Sequence, residues 1–71
     1  MDPRLRYSTD KVAIVRAARA NGMSDGEILL ALCRGEREAT RRRIVREWAA
    51  PLGLTAEEAL AQARKVGIVR R

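Results

Sequence analysis

The residues best suited to chemistry in this chain are arginines that crowd its middle. Six of them fall between positions 34 and 46 against two glutamates, a local charge balance of +4. A guanidinium attracts phosphate, and its planar fork can also bind guanine O6 and N7 in the major groove of DNA. On a helix, Arg42 and Arg46 share one face while Arg37 and Arg41 share an adjacent face, so these four are candidates for DNA contact.

Both ends of the chain add positive charge. The last eight residues carry another +4, and we expect Arg70 and Arg71, in a basic tail over residues 68–71, to hold phosphates. At the start, Arg4 and Arg6 lie in a predicted flexible basic arm over residues 1–8, placed like the arms that enter the minor groove beside some DNA-binding domains. A frayed terminus with two charges is the simpler alternative.

The arginine-rich middle also has a purely structural interpretation. A charged helix face is often only solvated surface. Glu38 with Arg42, and Arg43 with Glu47, are spaced as i,i+4 pairs that could steady a helix by about 0.2–0.5 kcal/mol each. Trp48 is predicted to be core, and with Tyr7 as the only other aromatic the chain lacks a stacking platform for single-stranded nucleic acid.

Composition argues against an enzyme. The chain has 71 residues, no histidine and one cysteine, so we expect no metal site, no disulfide and no cofactor. A chain of this size buries only about 60% of its unfolded surface, too little for a core and a deep cleft together. Without a histidine to activate it, Cys33 is predicted to be a buried small hydrophobe rather than a nucleophile.

The overall balance indicates a folded, basic protein in water. Hydrophobic residues make up 46% of the chain and the net charge is +6. No stretch approaches the roughly 20 apolar residues that span a bilayer, and the opening lacks the apolar run of a signal peptide. We therefore expect no membrane association and a cytoplasmic location. The preference for Arg, Ala and Gly indicates a GC-rich, bacterial genome.

Residues that typically begin and end helices predict a single helical domain over residues 1–71. We expect an all-α, compact bundle of four short helices. The helices form two helix-turn-helix-like hairpins, over residues 9–35 and 36–67. The first helix runs over 10–20, capped by Ser8 and Thr9, with an inward stripe of Ile14, Ala17 and Ala18. Ser24 with Glu27 forms a capping box that opens a second helix ending at Cys33. That helix is apolar nearly all round, which predicts a central position.

The second hairpin repeats the first in type. The third helix is predicted over 36–50, with an apolar line of Ile44, Val45, Trp48 and Ala49, and is ended by Pro51 and Gly53. Thr55 and Glu58 form a second capping box before a fourth helix, which turns Ala59, Leu60 and Ala63 inward and stops at Gly67. A glycine, an apolar residue and a capping box thus recur 31 residues apart. Two explanations of this repeat remain open: a true duplication, or independent use of a sequence pattern that is common in turns between helices.

The first turn resembles a known motif. Gly22, Met23, Ser24, Glu27 and Ile28, with Ala18 and Leu32 around them, resemble the helix-turn-helix of resolvase/invertase recombinases, transposases and small bacterial repressors. The resemblance covers roughly residues 10–48 and implies that the third helix enters the major groove. The chain departs from the motif after Leu32, where Cys33-Arg34-Gly35 replaces the usual short turn and Ser/Thr cap. The resemblance therefore assigns the register of the third helix only to within about one residue.

Two classes of function follow. The first is a DNA-binding transcriptional or mobile-element regulator, in which the third helix reads the groove of double-stranded DNA and a homodimer binds two half-sites. Composition does not separate DNA from RNA as the partner. The second class is a protein-protein interaction module that binds no nucleic acid and docks its excess apolar surface on a protein partner.

Overall fold

The chain folds into four α-helices joined by short turns, which confirms the predicted all-α bundle. The computed structural model describes the backbone of residues 3–70 and the side chains of residues 11–70. The helices are α1 Pro3–Ala20, α2 Asp25–Cys33, α3 Glu38–Leu52 and α4 Ala56–Lys65. No strand occurs within residues 3–70. The Cα radius of gyration of 12.0 Å is close to the roughly 11 Å of a compact chain of this length.

The first helix starts earlier than its sequence suggests. α1 begins at Pro3, so residues 3–8 are helical where an irregular basic arm was predicted. Proline is favoured at the first helical position because its missing N–H would have no intrahelical acceptor there. Ser8 and Thr9 therefore fall inside α1 instead of capping it.

The buried face of α1 differs from the predicted stripe. Val15 is 1% exposed and Ala18 is half-buried, whereas Ile14 is 49% exposed and Ala17 is exposed. The prediction was therefore wrong for Ile14 and Ala17. The inward line runs through Lys11, Val15 and Ala18, spaced i, i+4, i+7, and faces α3.

The central element of the bundle is α3, not α2. α3 packs against each of the other helices, whereas α2 packs against α3 and α4. The predicted apolar line of α3 is confirmed, with Val45, Trp48 and Ala49 buried and Ile44 half-buried. The prediction of a central α2 was wrong because α2 is only nine residues long and leaves Leu30 44% exposed.

Two glycine turns set the ends of α1 and α3. Gly22 and Gly53 have φ of 84° and 76°, a left-handed conformation that is unfavourable for residues with a Cβ. The next amide then reaches back into the helix: Met23 N donates to Ala18 O at 3.1 Å and Leu54 N to Ala49 O at 2.9 Å. This is the Schellman pattern, which ends a helix. It ends α3 at Leu52, two residues beyond the predicted end, so Pro51 lies within the last turn of the helix.

Each glycine turn leads directly into a capping box, as predicted. Ser24 Oγ accepts from Glu27 N at 3.2 Å, and Glu27 Oε1 accepts from Ser24 N at 2.9 Å. Thr55 and Glu58 make the same pair of bonds at 3.1 and 2.9 Å. The two cap residues have almost identical backbone angles, so the sequence echo corresponds to a repeated local structure.

The start of α2 lies tightly against the end of α4. Gly26 is buried, and a Cβ placed on it would lie 2.8 Å from Val66 Cγ1, closer than two carbon atoms can pack. The absence of a side chain at Gly26 therefore sets the separation of these two helices. Ala59 and Ala63, both fully buried, give α4 a similarly smooth inner face, as predicted.

Candidate nucleic-acid interface

The exposed side of α3 carries a stripe of four residues opposite its buried line. Ala39, Arg43, Arg46 and Ala50 are all exposed and follow one another at spacings of four, three and four residues. Such spacing places them on one face of a helix. We call this set the outward stripe. Two small residues flank two arginines, so a flat or grooved partner can approach the helix backbone closely.

Arg41, one of the four predicted contact residues on α3, is turned towards the protein. Its Nε donates to Glu36 O at 2.6 Å and its Nη1 donates to Ile68 O at 3.2 Å. The side chain is half-buried. Arg41 thus joins the turn before α3 to the segment after α4 through two backbone carbonyls.

Arg42 also holds the segment that follows α4. Its Nη2 donates to Arg70 O at 2.5 Å and lies 3.5 Å from Glu38 Oε2, which confirms the predicted i,i+4 ion pair. The second predicted pair is different: within the described part of the chain, Arg43 and Glu47 form no ion pair. Arg43 is therefore available to a partner.

The segment after α4 is packed rather than trailing. Gly67 turns the chain with φ of 78°, and Ile68 N donates back to Ala63 O at 2.9 Å. Ile68 and Val69 are each 3% exposed, while Arg70 is exposed. The predicted basic tail over residues 68–71 is thus a buried strap as far as Val69. We call residues 66–70 the C-terminal strap.

The remaining predicted contact residues divide into two groups. Arg37 and Arg46 are exposed, and Arg37 precedes α3 without making a side-chain cap. The side chains of Arg4 and Arg6, and the whole of Arg71, lie outside the described residues. The third helix was predicted to begin at residue 36, but α3 begins at Glu38 and Arg37 is its N-cap residue. The four predicted contact residues therefore do not act alike, because Arg37 and Arg46 face solvent whereas Arg41 and Arg42 bind the C-terminal strap.

Arg43 and Arg34 are exposed arginines that the sequence analysis did not include among its candidates for DNA contact. Arg43 was assigned to a pair with Glu47, yet it lies on the outward stripe with Arg46. Arg34 is exposed in the turn between α2 and α3. The period of Ala39, Arg43, Arg46 and Ala50 would have identified Arg43, because all four fall outside the predicted apolar line.

Cys33 is one of the residues that line a cavity of about 260 Å³, together with Leu30, Arg34, Arg41 and Ile68. The thiol is 1% exposed, as predicted for a small core residue, and its Sγ lies 3.8 Å from Arg41 O. Burial raises the pKa of the Cys33 thiol, and the nearby charge of Arg41 opposes this only in part. A neutral buried thiol is a poor nucleophile.

Trp48 is a core residue, as predicted. It is 9% exposed, and the ammonium group of Lys11 lies 5.7 Å from its ring centroid. That distance allows a cation–π contact between α1 and α3. The tryptophan therefore helps to hold α3 in place and offers no platform for base stacking.

No protein-family model, no curated protein and no solved structure matches this chain. Among the described residues, no helix is both long enough and apolar enough to cross a membrane.

Proposed function

We propose that this protein binds double-stranded DNA and acts as a transcriptional or mobile-element regulator, with the outward stripe of α3 in the major groove. The observation that carries the proposal is the pairing of Arg43 and Arg46 on the exposed face of the central helix. A major groove about 12 Å wide admits an α-helix. Because α3 packs on the three other helices, they hold its outward face rigidly.

The two arginines of the stripe suit base recognition. A guanidinium can donate two parallel hydrogen bonds to guanine O6 and N7, and each such pair is worth about 1–3 kcal/mol of discrimination. Ala39 and Ala50 add no bulk at the ends of the stripe. Glu47, on the edge of the same exposed face, can accept a hydrogen bond from cytosine N4.

Other exposed arginines suit the phosphate backbone. Arg34 and Arg37 flank the turn that leads into α3, and Arg70 lies at the end of the C-terminal strap. Phosphate contacts set the position of a helix in the groove without reading sequence. Arg41 and Arg42 have a different part, because their guanidinium groups hold the strap. A single stripe covers few base pairs, so a homodimer on two half-sites is expected.

The experiment is binding of the purified protein to a pool of random duplex DNA across a salt series, with the oligomeric state measured on the same sample. Enrichment of a sequence, together with a steep fall in affinity as salt rises, is the expected result. Salt-dependent binding without enrichment would leave a non-specific or RNA-directed binder. Absence of binding at low salt would refute the proposal.

A second candidate function, a protein-interaction module, is favoured by three exposed aliphatic side chains. Ile14 is 49%, Leu30 44% and Val12 39% exposed. In this candidate function, these side chains are the apolar groups that dock on a protein partner. A protein that fails to bind DNA at low salt, and whose complex with a partner is broken by Ile14→Ser or Leu30→Ser, would support this candidate over the first.

A further inference from the structure

The C-terminal strap is tied to α3 by two arginines of that helix. Arg41 donates to the carbonyl of Ile68 at 3.2 Å, and Arg42 donates to the carbonyl of Arg70 at 2.5 Å. Between these two bonds Val69 is buried. The strap is thus held by hydrogen bonds on its carbonyls and by apolar packing of its side chains.

These bonds hold the backbone of an exposed arginine, Arg70, beside α3. The carbonyl of Arg70 lies within hydrogen-bond distance of Arg42, and Arg46 lies one turn further along the same face. Arg70 itself is exposed. Arg42 and Arg70 are therefore neighbours in the fold, although they are 28 residues apart in sequence.

We propose that the C-terminal strap is the second half of the interface: Arg70 binds a phosphate at the edge of the groove that α3 enters, and Arg41 and Arg42 are positioning residues that hold it there. This inference rests on the proposed DNA-binding function. The partner of the strap is the phosphodiester backbone, because a single exposed guanidinium beside a helix in the groove meets the strand that borders the groove.

Charge alone does not explain the arrangement of Arg41. Its guanidinium donates from two different nitrogens to two carbonyls, Glu36 O and Ile68 O. A lysine at this position keeps the positive charge but has only one nitrogen, which cannot span both acceptors in the same way. Arg41→Lys therefore separates the positioning role from a simple phosphate contact.

The test is a double-mutant cycle on duplex DNA affinity with Arg41→Lys and Arg70→Ala, followed by the slope of log K against log salt. In the wild-type background, Arg70→Ala should lower the magnitude of the slope by about 0.9, the value for one phosphate. In the Arg41→Lys background, the same change should have little further effect because the strap is already loose. Arg16→Lys, an exposed swap on α1, is the matched control and should leave the effect of Arg70→Ala intact.

Each outcome decides the inference. If Arg70→Ala lowers the slope equally in both backgrounds, Arg41 does not position Arg70 and the inference is overturned. If Arg70→Ala leaves the slope unchanged in the wild type, Arg70 binds no phosphate and the inference is also overturned, while the proposed function stands as long as the wild type binds DNA. Where Arg41→Lys does not fold by circular dichroism, Arg42→Ala, which removes the bond to the Arg70 carbonyl, replaces it in the cycle, and Arg70→Ala should again have little further effect in that background.

Discussion

Arg19 and Leu52 join the C-terminal ends of α1 and α3: Arg19 Nη2 donates to the carbonyl of Leu52, the last residue of α3, at 2.6 Å. The same nitrogen lies 2.9 Å from Asp25 Oδ1 at the start of α2. One guanidinium thereby connects three helices. This contact sets the relative placement of α1 and α3, and so the direction in which the outward stripe points.

Replacing Arg19 with alanine should destabilise the protein by about 1–2 kcal/mol, because a charge-assisted hydrogen bond to a partly buried carbonyl is lost. The side chain is 46% exposed, which keeps the expected cost below that of a buried ion pair. Arg16→Ala, on the exposed side of α1, is the matched control and should change stability by less than about 0.5 kcal/mol. Urea unfolding followed by Trp48 fluorescence measures both, and equal stabilities for the two variants would contradict the role of Arg19.

The close approach of α2 and α4 makes Gly26 sensitive to a single methyl group. A Cβ there would lie 2.8 Å from Val66 Cγ1, so Gly26→Ala should cost about 1–3 kcal/mol of overpacking, offset in part by the better helix propensity of alanine. Val66→Ala in the same molecule should recover part of that loss. Thermal unfolding of the two single variants and the double variant gives the coupling. Simple additivity would show that the two residues do not meet.

Capping of α2 should depend on pH. The backbone and side-chain hydrogen bonds of Ser24 lower the pKa of Glu27 below its usual 4.5. A group whose pKa is lower in the folded state stabilises that state above its unfolded pKa, and the contribution is lost as pH falls through the folded value. The stability difference between the wild type and Glu27→Gln should therefore be present at pH 6 and shrink below pH 4.5. A difference that is unchanged down to pH 3 would contradict this.

Cys33 should be protected from thiol reagents in the folded protein. It is 1% exposed, and burial raises the pKa of its thiol above the usual 9.0. Low exposure keeps the reagent away from the sulfur, and the raised pKa depletes the reactive thiolate. Labelling with a disulfide reagent at neutral pH is expected to be slow in buffer and fast in denaturant. Rapid labelling in buffer would mean that the cavity between α2, α3 and the C-terminal strap opens readily.

The sequence predicts the elements well where local chemistry decides them. The starts of α2 and α4 can be identified from Ser24 with Glu27 and from Thr55 with Glu58, because a capping box lies within four consecutive residues. The period of Val45, Trp48 and Ala49 identifies the buried face of α3 for the same reason. Local patterns could not choose between Ile14 and Val15 on α1, since that choice depends on how α1 lies across α3.

The candidate site was predicted less completely than the fold. The arginine cluster is visible in the sequence, but the division of labour within it is not. Arg41 and Arg42 are neighbours of Arg43 in the chain, yet they bind carbonyls of the strap 27 and 28 residues away. Hydrogen bonds between residues so far apart in the chain produce no regular spacing in the sequence, so the pattern of charges could not predict them.

The most direct test of DNA recognition by α3 is the ratio of affinities for an enriched duplex and a scrambled duplex, measured for the wild type, Arg46→Ala and Arg43→Ala. Arg16→Ala, which removes the same charge from the exposed side of α1, is the control. The account predicts that each stripe variant loses about 1–3 kcal/mol of discrimination while Arg16→Ala keeps the wild-type ratio. Unchanged ratios in both stripe variants, with the fold intact, would contradict it.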